Sequence, residues 1–293
     1  MKIKKSILFL LITVFAAGIL SGCRPGNPSA SSASADILSE NGAEETLSAE
    51  PETQAVSGDV GEGQTVESEE QQETKQMEEQ QTAENGKLVV IDPGHQANGN
   101  SGKEPVGPGA SGTKAKVSGG TSGTATGVPE YELTLELSLK LWDELTARGY
   151  QVIMTRETNE VDISNAERAA IANDAGADAF VRIHANGSEN SGASGCMTIC
   201  QTASNPYNGS LHSQSYALSE SVLDELVAAT GAKRERVWET DSMSGINWAA
   251  VPVTIVEVGY MTNPDEDRRM QTEEYQNQIV QGIANGIDAY LGL

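Results

Sequence analysis

Two hydrophobic patterns alternate along the chain from residue 87 to its end. Short apolar runs rich in β-branched residues and bounded by turn formers predict buried strands, and longer stretches with apolar residues every three to four positions predict amphipathic helices. The predicted strands are 89–91, 151–155, 179–184, 194–200 and 251–257. The predicted helices are 130–148, 164–175, 214–230 and 273–291. This alternation indicates an α/β domain with a largely parallel sheet covered by helices on both faces.

Local signals support two of the predicted helices. Leucines at four-residue intervals from Leu133 to Leu145 share one face of the helix 130–148, which is typical of a helix that packs on a core. Ser164 and Glu167 have the spacing of a capping box, in which each residue caps the backbone of the other at a helix start.

Three of the predicted strands end in a side chain that can bind a metal ion or transfer a proton. The first strand breaks at a Pro-Gly turn followed by His95, another ends in His184, and the last ends in Glu257. Ligands gather where the strands of an α/β sheet end at their carboxyl edge. We therefore expect these three side chains to lie close together. The remaining histidine, His212, lies in a polar context, which predicts an exposed residue unrelated to the site.

Two strand-end histidines suggest a zinc site. A hydrolytic zinc ion takes three protein ligands from His, Asp and Glu and keeps one position for water. His95 and His184 supply two, and the third should be a carboxylate near the start of the helix 130–148. Glu130 and Glu132 are both candidates, and helical spacing does not choose between them. Glu130 has a second interpretation, since an acid in a first turn also stabilises the helix dipole.

Glu257 ends a strand that should be central in the sheet, where an unpaired charge is costly. One interpretation is a general base that takes a proton from water and returns it to a leaving amine. The alternative is a structural acid paired with Arg156, Arg168 or Arg182.

Residues 96–128 are rich in Gly, Ser and Thr and separate the first strand from the first helix. Loops of this length inside a compact domain are usually functional or disordered. Because the segment follows His95 directly, we predict a flap that contacts the substrate.

The first 86 residues differ in composition from the rest. Lysines precede an apolar run, 7–20, and the segment ends in Leu-Ser-Gly followed by Cys23. The run is short for a membrane-spanning helix and suits a signal peptide, and its ending resembles a bacterial lipoprotein signal in which Cys23 is lipidated. A plain cleaved signal and an uncleaved anchor are the alternatives. All three put the remaining chain outside the cytoplasm. Residues 24–86 are acidic and poor in apolar residues, which predicts a disordered tether.

Charge and cysteine content exclude two further classes. The formal net charge is -23, so a nucleic acid partner is not expected because phosphate backbones repel an acidic chain. Three cysteines, Cys23, Cys196 and Cys200, do not make a disulfide framework. The last two would lie roughly 13 Å apart on one strand, too far for a disulfide, and we expect small core residues.

Four motifs occur in order over residues 87–293 and together resemble the zinc-dependent N-acetylmuramoyl-L-alanine amidases of the Amidase_3 type. They are the strand and turn leading to His95, Glu130 with its leucine-rich helix, Arg-Ile-His-Ala-Asn at 182–186, and Val-Glu-Val-Gly-Tyr-Met-Thr-Asn-Pro at 256–264. The resemblance implies a twisted, mostly parallel six-stranded sheet flanked by helices. It also implies hydrolysis of the amide between N-acetylmuramic acid and L-alanine of peptidoglycan.

Carried onto the matching positions, the resemblance implies a zinc ion held by His95, Glu130 and His184, with Glu257 as the catalytic acid and base. It thus favours Glu130 over Glu132. The expected protein is a monomeric cell-wall enzyme, with residues 87–293 as its catalytic domain and an N-terminal lipid as its membrane anchor. The alternatives are an inert peptidoglycan-binding lipoprotein and a zinc peptidase that cuts within the stem peptide.

The chain departs from the family pattern at three places. Gln96 stands where a glycine is common, Arg182 stands where a small residue is common, and the segment 96–128 is longer than usual. These departures concern the substrate preference rather than the metal site.

Overall fold

A computed structural model describes residues 85–293. Cys23, the signal segment and the predicted tether up to residue 84 lie outside the described residues. The strands are β1 Leu88–Pro93, β2 Asn100–Pro105, β3 Thr113–Val117, β4 Gln151–Met154, β5 Ala179–Asn186, β6 Cys196–Cys200, β7 Arg234–Glu239 and β8 Val253–Tyr260. The helices are α1 Glu130–Ala147, α2 Asn165–Ala175, α3 His212–Thr230, α4 Ser244–Asn247, α5 Pro264–Met270 and α6 Glu273–Leu291, with a 3-10 turn at Gly209–Leu211.

Six strands form one sheet in the order β4-β1-β5-β8-β6-β7. Neighbouring strands are parallel except at the β8–β6 pair, which is antiparallel. The predicted fold class, an α/β domain with a mostly parallel six-stranded sheet flanked by helices, is confirmed. Within residues 85–293, none of the helices combines the length and the apolar character that crossing a bilayer requires.

The sheet has two differently covered faces. Helices α1, α3 and α6 cover one face, where the predicted leucines from Leu133 to Leu145 pack against residues such as Ile183 of β5. The other face carries α2 and the short α4, whose Ala169 and Ile246 pack against Phe180. Because one long helix and one short helix cover less area than three long ones, the carboxyl end of this second face stays free for a site.

Several details differ from the sequence-based expectation. The predicted loop 96–128 contains the hairpin β2–β3, and strand β7 and the short helices α4 and α5 were not predicted. Strands β5 and β8 continue to Asn186 and Tyr260, so His184 and Glu257 lie inside their strands rather than at the last residue. Their register shifts between His184 and Asn186, as at a bulge that redirects side chains beside a site.

The predictions for the two cysteines in the described residues are confirmed. Cys196 and Cys200 begin and end β6, both are buried, and both are free thiols. Burial raises the pKa of the Cys196 thiol to about 12, so this side chain behaves as a small apolar core residue.

Candidate metal centre

Three of the predicted site residues converge at the carboxyl edge of the sheet. Glu130 Oε1 lies 3.1 Å from His95 Nε2 and 3.0 Å from His184 Nδ1. One nitrogen or oxygen atom from each residue lies within 4.8 Å of the other two. Glu132, the rival carboxylate, is exposed, whereas Glu130 is 3% exposed. Burial therefore separates the two candidates that helical spacing left open.

The backbone at His95 is unusual, since it is the one described residue other than glycine with a positive φ, 62°. A non-glycine residue in this region is strained and persists where its surroundings hold it. Arg168 donates from Nη2 to the His95 carbonyl at 2.8 Å, and His95 Nδ1 lies 2.9 Å from the Ser118 carbonyl. Because Nδ1 must carry the hydrogen to donate to Ser118, Nε2 is the ring nitrogen that faces Glu130 and is left for a metal ion.

Glu130 begins α1 and is held by both backbone and side-chain donors. Its Oε1 accepts from the Ala185 amide at 3.1 Å, and its Oε2 accepts from the Thr121 amide at 2.9 Å. Burial raises the pKa of this carboxyl, but hydrogen bonds from His184 and His95 outweigh burial and leave the pKa well below its usual value. The site therefore holds a carboxylate anion at neutral pH.

Two glycines make the close approach of these side chains possible. A Cβ at Gly94 would lie 2.4 Å from the His184 ring, and a Cβ at Gly120 would lie 2.9 Å from Glu130 Oε2 and 3.0 Å from the His95 ring. Gly120 also has φ of 78°, a conformation that side chains disfavour. Sequence reasoning used Gly94 only as part of the turn that ends the first strand. It did not name Gly120, because nothing in a Gly-rich segment marks which position meets the site.

Glu257 lies directly beside His184, since the two residues pair in register between β8 and β5. Both line one pocket together with His95. Burial, and next the charge of Glu130, raise the pKa of Glu257 to about 8. Among the described residues its Oε2 is buried without a hydrogen-bond partner, an arrangement that is costly unless the group has a role.

The interpretation of Glu257 as an acid paired with an arginine is wrong. Arg156 donates to the carbonyls of Pro93 and Gly94. Arg168 and Arg182 each form an ion pair of 2.7 Å with Asp92.

Asp92 is the buried anion that organises the end of β1. Burial raises its pKa, but Arg168 and Arg182 outweigh burial and hold the pKa far below the usual range. Thr155 also donates its hydroxyl to Asp92. Because Arg168 bonds the His95 carbonyl as well, this network fixes the backbone from which His95 projects.

The donor set fits a metal ion. Two imidazoles and one carboxylate are the ligands that zinc takes in hydrolytic sites, and donors at about 2.0–2.1 Å from a tetrahedral zinc ion lie about 3.3 Å apart, close to the two contacts of Glu130. Burial lowers the pKa of His184, which favours the neutral imidazole that binds metals. The remaining histidine, His212, begins α3 and contacts Glu239 instead.

Comparison with known proteins agrees with this geometry. Residues 89–289 match the family model described as "Amidase_3: N-acetylmuramoyl-L-alanine amidase". The chain is 32% identical over 210 residues to the N-acetylmuramoyl-L-alanine amidase Rv3717 of Mycobacterium tuberculosis, covering 68% of this chain and 86% of that protein.

Two solved structures have the same fold and similar sequences. The N-acetylmuramyl-L-alanine amidase Ami1 of Mycobacterium smegmatis is 28% identical with a TM-score of 0.64, covering 72% of this chain and 98% of that one. Ami1 of Mycobacterium abscessus is 30% identical with a TM-score of 0.64, covering 70% and 99%. The matched region contains the whole His95, Glu130, His184 and Glu257 arrangement. The chain therefore belongs to the N-acetylmuramoyl-L-alanine amidase family of the Amidase_3 type.

Proposed function

We propose that residues 87–293 are a zinc-dependent hydrolase that cuts the amide between N-acetylmuramic acid and the L-alanine of peptidoglycan. The observation that carries the proposal is the convergence of His95, Glu130 and His184 next to the unpartnered carboxyl oxygen of Glu257. Family membership supplies the substrate class. All four residues come from one chain, so the proposed site needs no second copy.

The three converging residues would hold zinc, which when bound supplies Lewis-acid polarisation of the scissile carbonyl and of the attacking water. Glu257 accepts a proton from the water while the oxygen of the water bonds to the carbonyl carbon. The same carboxyl then delivers that proton to the amide nitrogen, the C–N bond breaks, and the products are a carboxylate and a free amine. Burial raises the pKa of Glu257 in the metal-free protein, which makes the carboxylate a stronger base for a proton that it must later return.

Digestion of purified sacculi with the soluble domain tests the proposal. The wild-type protein should carry one zinc ion per chain and release glycan strands and stem peptides with free L-alanyl amino termini, detected by mass spectrometry. Glu257→Gln should keep the zinc and lower turnover by at least about 10³-fold, since proton transfer is lost. The control Glu132→Gln changes an exposed carboxylate on the same helix as Glu130 and should retain normal turnover.

Three outcomes would overturn the proposal. Normal turnover in Glu257→Gln would remove the proton-transfer role. A wild-type protein that binds sacculi without stoichiometric zinc or turnover would be an inert wall-binding protein. Products cut between amino acids of the stem would identify a peptidase.

We also propose that Cys23 carries a lipid that anchors the enzyme at the outer side of the cell membrane, with residues 24–86 as its tether. The apolar run before Cys23 and the acidic composition after it support this arrangement. Metabolic labelling with an alkyne fatty acid should mark the wild-type protein and not Cys23→Ala, and Cys23→Ala should leave the membrane fraction. Equal labelling of both proteins would contradict lipidation at Cys23.

A further inference from the structure

A cavity of about 390 Å³ extends from the candidate metal centre along the second face of the sheet. We call this cavity the side pocket. His184 and Glu257 lie at one end, and Arg182 and Ile255, two residues earlier on the same strands, lie further in. Side chains two residues apart on a strand point to the same face. The sheet therefore forms a continuous floor from the metal centre to Arg182.

Arg182 is oriented by its neighbours and has one nitrogen left over. It is 3% exposed. Its Nε donates to Asp92 Oδ2 at 2.7 Å and its Nη2 donates to Asn165 Oδ1 at 2.8 Å. Among the described residues, the hydrogen bonds of Arg182 leave Nη1 without a partner, and the side chain lines the side pocket. The guanidinium is thus fixed by two nitrogens, and the third can bind a ligand in the side pocket.

The pocket wall leaves room for this free nitrogen. A Cβ at Gly245 would lie 1.6 Å from Arg182 Nη1. Gly245 has no positive φ, so its conformation alone does not explain the glycine. The absence of a side chain instead lets the guanidinium lie against the wall formed by α4.

The charges around the side pocket favour an anion. Asp92 is shared by Arg168 and Arg182, so this buried group of three residues carries one positive charge in excess. Lys114 of β3 also lines the side pocket and donates to the Ser242 carbonyl. Glu257, at the metal end, is the one acidic residue of the lining. A cationic pocket in a chain with a net charge of -23 does not follow from composition.

The hairpin β2–β3 that carries Lys114 is fixed in place by polar contacts. Trp248 donates its indole N–H to the Pro105 carbonyl at 2.9 Å, and Asn165 donates its side-chain amide to the Lys116 carbonyl at 2.8 Å. The side pocket is therefore preformed, which reduces the entropy lost when a ligand binds.

We propose that Arg182, assisted by Lys114, binds a carboxylate of the stem peptide and so determines which stems are cut. This inference rests on the proposed function. The Cα atoms of residues 182 and 184 lie about 6.6 Å apart along the strand, which matches about two extended residues of peptide. A ligand with its scissile amide at the metal centre would place the carboxylate of its second stem residue near Arg182 Nη1. Stems with a carboxamide at that place would lose the charged hydrogen bond.

Two matched muramoyl tripeptides test the inference, one with a free carboxylate and one with a carboxamide on the second residue. For each protein we would measure kcat/KM on both substrates and take the ratio, because a ratio cancels differences in the folded fraction. Wild type should prefer the carboxylate by about tenfold or more, the value expected for a charged hydrogen bond. Arg182→Gln should bring the ratio close to one, mainly through a higher KM for the carboxylate substrate.

Lys114→Met provides the second variant, since Lys114 is exposed and its loss leaves the core intact. It should lower the ratio about two- to fivefold. The control Lys103→Met removes a charge from the same hairpin outside the side pocket and should leave the ratio unchanged.

If circular dichroism shows that Arg182→Gln fails to fold, the comparison of Lys114→Met with Lys103→Met decides the test. Equal wild-type rates on both tripeptides, or an unchanged ratio in Arg182→Gln, would overturn the inference alone. No cleavage of the muramoyl amide in either tripeptide or in sacculi would overturn the proposed function.

Discussion

The two faces of the same sheet show how one set of strands serves both stability and chemistry. On the face under α1, α3 and α6, strand β5 presents Ile183, which is fully buried in the larger apolar core. On the opposite face the same strand presents Arg182 and His184, which line the side pocket. Because side chains alternate between faces, adjacent residues of one strand have entirely different surroundings.

The difference between the faces comes from how much of each is covered. The first face is covered by three long helices, so its strands bury mostly apolar residues there. The buried hydroxyls of Thr198 and Thr254 are hydrogen-bonded to Ser219 of α3. On the second face the core around Phe180 gives way, toward the carboxyl edge, to Asp92, Arg182 and Glu257. A polar row survives inside a domain only when its members pair with each other or have a ligand to bind. Substitutions on the two faces should therefore separate activity from stability.

The largest effect is expected for His184→Ala on the second face. The variant loses one of the three proposed zinc ligands, so kcat/KM should fall by at least about 10³-fold and the zinc content should fall with it. The free energy of unfolding of the metal-free protein should change by about 1 kcal/mol or less, because the ring is half-buried and faces a pocket. Normal activity at normal zinc content would contradict the proposed ligand set.

Asp92→Asn should have the next largest effect, and it acts on stability. The substitution leaves Arg168 and Arg182 buried without their shared anion. Breaking a buried ion pair from one side costs about 3–5 kcal/mol, which urea denaturation would measure. The control Asp174→Asn removes an exposed carboxylate from α2 and should stay within about 0.5 kcal/mol. A small effect at Asp92 would show that the two arginines do not need this anion.

Ile183→Val changes the first face at the position next to His184. Removing one buried methylene group should lower the free energy of unfolding by about 0.5–1.5 kcal/mol. The kcat per folded molecule should stay at the wild-type value, since Ile183 points away from the side pocket. A loss of kcat comparable to that of His184→Ala would mean that the two faces are not independent.

The sequence predicted the centre of the site because hydrophobic strands lead directly to it. His95, His184 and Glu257 each follow β-branched residues, and this local pattern is enough to mark the carboxyl edge of a sheet. The choice between Glu130 and Glu132 needed burial, which follows from the packing of α1 as a whole rather than from helical spacing.

Other parts of the fold carry no such local signal. Strand β7 has the sequence Arg-Glu-Arg-Val-Trp-Glu, and its polar residues suit the sheet edge where it lies. The hairpin β2–β3 is polar and partly exposed. These elements form through tertiary contacts, such as the bond from Trp248 to the Pro105 carbonyl. The partners of Arg182 likewise come from β1 and α2, which only the folded chain brings together.

The smallest effect is expected from the pH dependence of the metal-free protein, and it concerns Glu257 on the second face. Burial, with a contribution from Glu130, raises the pKa of Glu257 from 4.5 to about 8. Between these two values the unfolded chain has lost the proton that the folded chain keeps, so stability falls as pH rises from about 4.5 to about 8. Below that window both states are protonated, and above it both are ionised, so the contribution no longer changes with pH.

Glu257→Gln removes this titrating group, so the difference in unfolding temperature between wild type and variant isolates it. Measured after chelation at pH 5 and at pH 9, the unfolding temperature of the wild type should fall by about 1–3 °C more than that of the variant. The full pKa difference would give a larger fall, but the Glu257 side chain is only half-buried and solvent in the side pocket screens its charge. The other titrating residues, among them the ionised Glu130, are common to both proteins and cancel in the difference. An equal fall in unfolding temperature for wild type and variant would mean that Glu257 has the same pKa in the folded and unfolded chain. Its environment would then resemble an exposed surface rather than a buried polar row.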